Sequence, residues 1–306
     1  AQATDTHRRV AKMLRASRLA AVAGGGAAAC SALALSQRDD HAQTRLASTE
    51  RLLHQPPRKR IAIYGGSFNP ITNAHLNVAA EIMHSKLADE VWITPCGVRP
   101  DKPSLKTSMI HRLVMCHLAV DTTFGSRFGV KVCDCEADKP RAMPSIVLMR
   151  QLAEKYPEAD FVFACGSDQI SEVRSWPAEA EPGFWDAVGD PGETFFSETH
   201  FLLIDRPGAS IDGLEMPPNT QFVADALKAR GSTMIETELS STEVRKRVTP
   251  PDDEVRFGLR NAESSRERAW YDEAEGLVPP SVLGHIVRYG LYAHGHGAEG
   301  VDDEAT

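Results

Sequence analysis

The sequence predicts an α/β chain, a doubly wound and mostly parallel sheet followed by C-terminal helices. Three observations carry this reading. From Arg60 onward, short apolar runs alternate with segments of helical periodicity. Two of those runs, "DFVFACGSD" and "HFLLIDRPG", stay apolar over most of their length, as strands buried on both faces do. The runs also end near Gly, Pro or Asp, the residues that let a chain turn.

In chain order, Ile61–Tyr64 is the first strand, closed by Gly65 and Gly66. "HLNVAAEIMHSKL" follows, with apolar residues at 76, 79, 80, 83 and 87, a helical stripe. Val91–Pro95 is a second strand, Met109–Val120 a second helix and Val130–Cys133 a third strand. "SIVLMRQLAEKY", Ser145–Tyr156, forms a third helix, and the two apolar runs follow as strands. Thr233–Glu236 reads as a weaker strand, and helices near 241–248 and 281–290 close the chain. Residues 177–198, rich in Pro, Glu, Gly and Asp, read as a long insertion. No internal repeat is seen. Strand–helix–strand units cross over right-handedly, and such sheets bind ligands beyond the carboxyl ends of their strands. That singles out Gly65–His75, Pro95–Lys102, Gly166–Trp176 and Arg206–Gly208.

The 306 residues are 42% hydrophobic, enough for one large core or two small ones, and carry a net charge of −8. Residues 1–60 hold eleven Lys/Arg against four Asp/Glu, a net of +7, which leaves −15 for the remainder. An acidic body argues against a protein that coats nucleic acid, so a polyanion would be held by a few local groups. The Ala/Gly-dominated run Leu19–Leu35 makes a poor transmembrane span. Residues 1–58 are basic, with no acid between Asp5 and Asp39. They fit an organellar presequence or a low-complexity extension equally, and the chain does not begin with Met, so its true start can lie upstream. The domain organisation expected is this extension, a catalytic domain over 59–293 and a polar tail over 294–306. Of six cysteines, only Cys133 and Cys135 are close in sequence, and no second Cys/His pair accompanies them. They read as reduced core thiols rather than zinc ligands, which favours a reducing compartment.

The chemistry concentrates in two stretches. In "GGSFNPITNAHL", Gly65 and Gly66 permit close backbone approach, and Pro70 stiffens a turn before a helix. That helix N-terminus is an anion site, and His75 in its first turn leans back towards it. On residues alone, bonding a loop carbonyl is the more common role for a lone His such as His75. In "LSSTEVRKR", Ser240 and Glu243 form a capping-box pattern. Ser241 and Thr242 then place hydroxyls at a second helix start, with Arg245 one turn in.

"GSFNPITNAH" resembles the nucleotide-binding motif of the nicotinamide/nicotinate mononucleotide adenylyltransferases, in the nucleotidylyltransferase superfamily. "SSTEVR" is similar to the same family's second signature, and "TPCGVRPDKP", "HRLVMCHLA", "FACGSDQISEVRSW" and "LLIDRPG" resemble it in the family's order. The resemblance spans roughly residues 59–293 and implies the Rossmann-like nucleotidylyltransferase fold. It implies that Gly66, Ser67, Phe68, Thr72 and His75 meet ATP. Many relatives have His where Thr72 stands, although a eukaryotic branch has Thr. Gly166 and Asp168 would lie by the adenosine, and Ser241, Thr242 and Arg245 would hold the departing pyrophosphate. Lys102 would approach the mononucleotide phosphate, although Asp101 replaces the usual His before it. Ser67 and Phe68 would also border the mononucleotide, Trp176 would stack on its pyridine ring, and Ser145 stands near a family Thr facing that ring. His75, Arg245 and Lys102 are the expected catalytic groups. Magnesium would arrive on the ATP phosphates, with no metal held by the protein itself.

The reaction implied is adenylyl transfer from ATP to nicotinamide or nicotinate mononucleotide, giving the dinucleotide and pyrophosphate. Alternatives are another transferase of the superfamily, such as one acting on a pantetheine phosphate, and a non-catalytic nucleotide-binding or chaperone-like protein. A dinucleotide-dependent oxidoreductase is disfavoured, because G-x-G-x-x-G is missing. The resemblance leaves room for a homo-oligomer, and for a cytoplasmic or nuclear catalytic domain that the extension could redirect to an organelle.

Overall fold

The computed structural model describes residues 58–99, 105–139, 142–176, 190–205, 211, 213–235, 237, 239–249 and 271–292. The chain divides into two units, Ala1–Pro57 and Arg58–Thr306, and all described residues belong to the second. They contain β1 (Lys59–Gly66), α1 (Asn73–Ser85), β2 (Glu90–Pro95), α2 (Met109–Thr123) and β3 (Val130–Val132). Next come α3 (Ser145–Lys155), β4 (Ala159–Gly166), α4 (Pro191–Glu198), β5 (Phe201–Ile204) and β6 (Thr220–Phe222). α5 (Val223–Ala229), α6 (Ser241–Val248) and α7 (Pro280–Tyr289) complete the set.

The six strands form one sheet in the order β3-β2-β1-β4-β5-β6, and every pairing is parallel. The order reverses between β1 and β4, the point at which such sheets open a crevice. Tyr64 pairs with Ala164, and both strands end two residues later, at Gly66 and Gly166. On the other side Gly66 pairs with Pro95, and Cys96 N–H donates to the Gly66 carbonyl at 2.9 Å. The loops that start from Gly65, Pro95 and Gly166 therefore share one edge of the sheet.

Alternation along β1 divides the core into two layers. Ala62 and Tyr64 pack with α1, α2, α6 and α7, whereas Ile61 and Ile63 pack with α3 and α4. At the opposite edge, Glu90 is buried. Burial alone would raise its carboxyl, but Lys131, Lys59 and the Trp92 indole outweigh that and hold it below its ordinary value.

Two expectations need correction. The last strand is Thr220–Phe222, not Thr233–Glu236: Thr233–Ile235 is irregular, Ile235 is exposed, and Glu236 lies outside the described residues. A three-residue edge strand of Thr, Gln and Phe has one neighbour and no apolar run to betray it. The region 177–198 is also more than an insertion, since α4 within it buries Phe195 and Phe196 in the core.

Candidate active site

The loop between β1 and α1 folds back on itself. Phe68 is 1% exposed, and its ring meets Tyr64 and His75 edge-on, with centroids 5.6 and 5.1 Å away. Its φ of 43° is in the left-handed region, a cost of about 1–3 kcal/mol for such a residue. Gly66 is required beneath it, because a Cβ there would lie 3.0 Å from the Phe68 ring. With its side chain inside the core, Phe68 has chiefly its backbone to offer a ligand.

Thr72, fully buried, caps α1, and its N–H donates to His75 Nδ1 at 3.0 Å. A backbone N–H can only donate, so Nδ1 carries the lone pair and the neutral ring bears its proton on Nε2. The imidazole thus completes the helix cap through one nitrogen and carries a donor on the other. Not every N–H at this helix start is open to an anion, since Asn73 N–H donates to the Leu277 carbonyl at 2.9 Å.

α6 docks directly onto this loop. Ser240 caps it by accepting from Glu243 N–H at 3.2 Å, while the Glu243 carboxylate pairs with Arg247 instead of closing the capping box. Ser241 Oγ donates to the Pro70 carbonyl at 2.8 Å, and Arg245 Nη1 to the Asn69 carbonyl at 2.6 Å. Two motifs some 170 residues apart therefore meet on consecutive carbonyls. Arg245 Nη2 also reaches Thr242 Oγ1 at 3.0 Å, and its buried Nε has no partner among the described residues. Burial holds the guanidinium below its ordinary pKa, offset by the nearby Tyr292 phenol. A half-buried cation with an unspent donor and no carboxylate among these partners is suited to an anion.

The remaining predicted residues spread along the same edge. Gly166 ends β4 and Asp168 sits exposed in the short turn after it. Ser145 is the first residue of α3. Trp176 is half-buried, its indole stacked on Phe195 at 5.9 Å and edge-on to Phe163 at 6.2 Å. The fold therefore already uses this tryptophan for packing. Lys102, with Asp101, lies outside the described residues, as does Arg206–Gly208.

Three polar residues behind the site went unassigned by sequence. Arg112 is 1% exposed and donates to the Ser67 carbonyl at 2.9 Å. Its signal was legible: it stands in the apolar stripe of α2 with Met115, Cys116, Ala119 and Val120. Glu136 is buried and accepts from Gly97 N–H at 2.9 Å and Met143 N–H at 3.1 Å, joining the loops after β2 and β3. Burial pushes its carboxyl up, and those amides, Arg112 and Arg99 pull it partly back. Tyr292 donates to Asn69 Oδ1 at 2.8 Å. No local pattern announced either of the last two.

A parallel sheet that presents a glycine loop, two helix starts and a guanidinium with no carboxylate partner among the described residues at its switch point is an α/β protein with a site suited to phosphate. Residues 63–247 match the model of the Cytidylyltransferase-like family, which is more than half of the chain, and the chain belongs to that family within the nucleotidyltransferase superfamily. It is 31% identical over 242 residues to a probable nicotinate-nucleotide adenylyltransferase of Leifsonia xyli subsp. xyli, covering 78% of this chain and 97% of that one. A protein of the same description from Tropheryma whipplei (strain Twist) is 30% identical over 228 residues, covering 74% and 97% respectively. Among solved structures, the chain is similar to Plasmodium falciparum nicotinic acid mononucleotide adenylyltransferase complexed with NaAD. The TM-score is 0.55 at 26% identity, over 76% of this chain and 97% of that one. Among the described residues no helix is long and apolar enough to cross a membrane.

Proposed function

We propose that this protein transfers the adenylyl group of ATP to nicotinate mononucleotide or its nicotinamide counterpart, releasing pyrophosphate. The observation that carries the reading is the junction at Asn69 and Pro70, where α6 delivers Arg245 and Ser241 to the loop that ends in His75. The names of the bacterial relatives and of the Plasmodium structure support a pyridine mononucleotide as acceptor, with the nicotinate form first to test.

In this reaction a 5′-phosphate oxygen of the mononucleotide bonds to the α-phosphorus of ATP. The bond from that phosphorus to the bridging oxygen breaks, and pyrophosphate leaves with the electron pair. The attacking oxygen is already anionic near neutral pH, so no strong base is needed, and catalysis rests on alignment and charge neutralisation. His75 would donate from Nε2 to a phosphate oxygen. Arg245, Ser241 and Thr242 would hold the leaving pyrophosphate, and Lys102 the acceptor phosphate. The donors left at the junction are an imidazole, a guanidinium and the Thr242 hydroxyl, a set that suits phosphate oxygens better than a metal ion. Magnesium would accordingly be carried on the ATP and would supply further charge neutralisation.

The test is purified protein with ATP, magnesium and each mononucleotide in turn. Dinucleotide and pyrophosphate should appear in equal amounts. ATP binding without pyrophosphate release on either acceptor would overturn the proposal, and turnover on a pantetheine phosphate would redirect it.

A further inference from the structure

We infer that Tyr292, the last described residue, is a positioning residue for triphosphate binding, acting through Asn69. This inference rests on the proposed use of ATP. Phe68 holds a left-handed backbone, and such a conformation persists only where its surroundings over-determine it. Four side chains from elsewhere in the chain do this, on three of its near neighbours. Arg112 holds the Ser67 carbonyl, Arg245 the Asn69 carbonyl and Ser241 the Pro70 carbonyl. Tyr292 supplies the fourth bond, from its hydroxyl to Asn69 Oδ1 at 2.8 Å, and it is the only one of the four that grips a side chain.

Asn69 is 3% exposed, so without Tyr292 its amide oxygen would be left buried and unpaired. The same residue's carbonyl receives Arg245, and therefore a shift of Asn69 moves the guanidinium that faces the phosphates. Tyr292 is itself fixed from several sides. Its phenol also meets Thr107, and Thr249 Oγ1 lies 3.0 Å from its carbonyl and 2.7 Å from that of Arg245. Gly290, left-handed at φ 59°, ends α7, and Tyr292 two residues on is left-handed too, at φ 71°. The end of the last helix is thus wired to the first loop of the sheet and to α6. Among the described residues, no hydrogen bond or ring contact links it to Ser145 or Trp176 on the mononucleotide side.

Tyr292→Phe in the full chain separates this role from plain packing. ATP and pyrophosphate affinity, read by calorimetry without mononucleotide, should each fall about tenfold, the equivalent of ~1.4 kcal/mol. The mononucleotide KM should stay within twofold of wild type. Thr249→Val, which removes the bond to the Tyr292 carbonyl, should weaken ATP binding in the same direction by a smaller factor, and it serves if the phenylalanine variant fails to fold. In a double-mutant cycle, Asn69→Ala should abolish most of the effect of Tyr292→Phe. Unchanged ATP affinity in a folded variant overturns the inference, as does equal weakening of ATP and mononucleotide. A wild-type chain that binds ATP but forms no dinucleotide defeats the proposed acceptor and leaves the role of Tyr292 standing.

Discussion

Replacing His75 with Asn separates the two jobs that the imidazole does. Asparagine Oδ1 occupies nearly the position of Nδ1, so the acceptor for Thr72 N–H at 3.0 Å is kept. The far half of the ring, with the Nε2 donor, is deleted. A hydrogen bond to a charged group is worth about 1.5–3 kcal/mol, and each ~1.4 kcal/mol of transition-state binding is tenfold in rate. Turnover should therefore fall roughly 10- to 150-fold while the unfolding midpoint moves little. His75→Ala should lose the same rate and, in addition, about 1 kcal/mol of stability with the cap. The assay is pyrophosphate release with ATP, magnesium and nicotinate mononucleotide, alongside thermal unfolding of each variant. A folded asparagine variant that turns over like wild type would refute the reasoning, because the Nε2 donor would then serve no phosphate.

Gly66→Ala should destabilise the protein by about 1–2 kcal/mol in urea and weaken ATP binding, since the new methyl must displace a ring that has no room to move. Burial raises the Glu136 carboxyl above its ordinary 4.5, so protonation favours the fold: that contribution is complete below the unfolded pKa and is lost as pH rises through the folded one. The unfolding free energy of wild type relative to Glu136→Gln should accordingly fall as pH rises above the ordinary 4.5, and a flat difference would contradict the shift. Trp176→Ala should raise the mononucleotide KM at least fivefold, a base-stacking contact being worth about 1–3 kcal/mol, and leave the ATP affinity near that of wild type. A variant with an unchanged mononucleotide KM would reduce this tryptophan to its packing on Phe195.

Much of this was open to reading in the sequence because the physics was local. The apolar runs at Ile61, Val91 and Phe161 became strands since nothing but a two-sided core can take them. Ser240 announced its helix through its own hydroxyl. The meeting of Ser241 and Arg245 with Asn69 and Pro70 followed only from matching two motifs to one family, because no local pattern says that residue 245 will reach residue 69. Other features depend on partners far away. β6 exists because Phe201–Leu203 offers an open edge. Glu136 is buried because two loops bring their amides to it. Tyr292 drew no assignment, because no local pattern announces a hydroxyl that will reach Asn69, 223 residues away. Arg112 was the nearest miss, a charge in an apolar stripe that could have been taken as a buried anchor.

The order in which the chain is synthesised gives the bonds around Asn69 a further meaning. All six strands are complete once Phe222 has been made, yet three of the four groups that secure the nucleotide loop stand later, at 241, 245 and 292. Val244, Val248, Val282 and Ile286 arrive equally late, and they complete a core layer that α1 and α2 begin. A nascent chain therefore builds its binding loop first and locks it last. A product that stops before α7 lacks the bond from Tyr292 to Asn69 and leaves open the part of the core that Val282 and Ile286 fill.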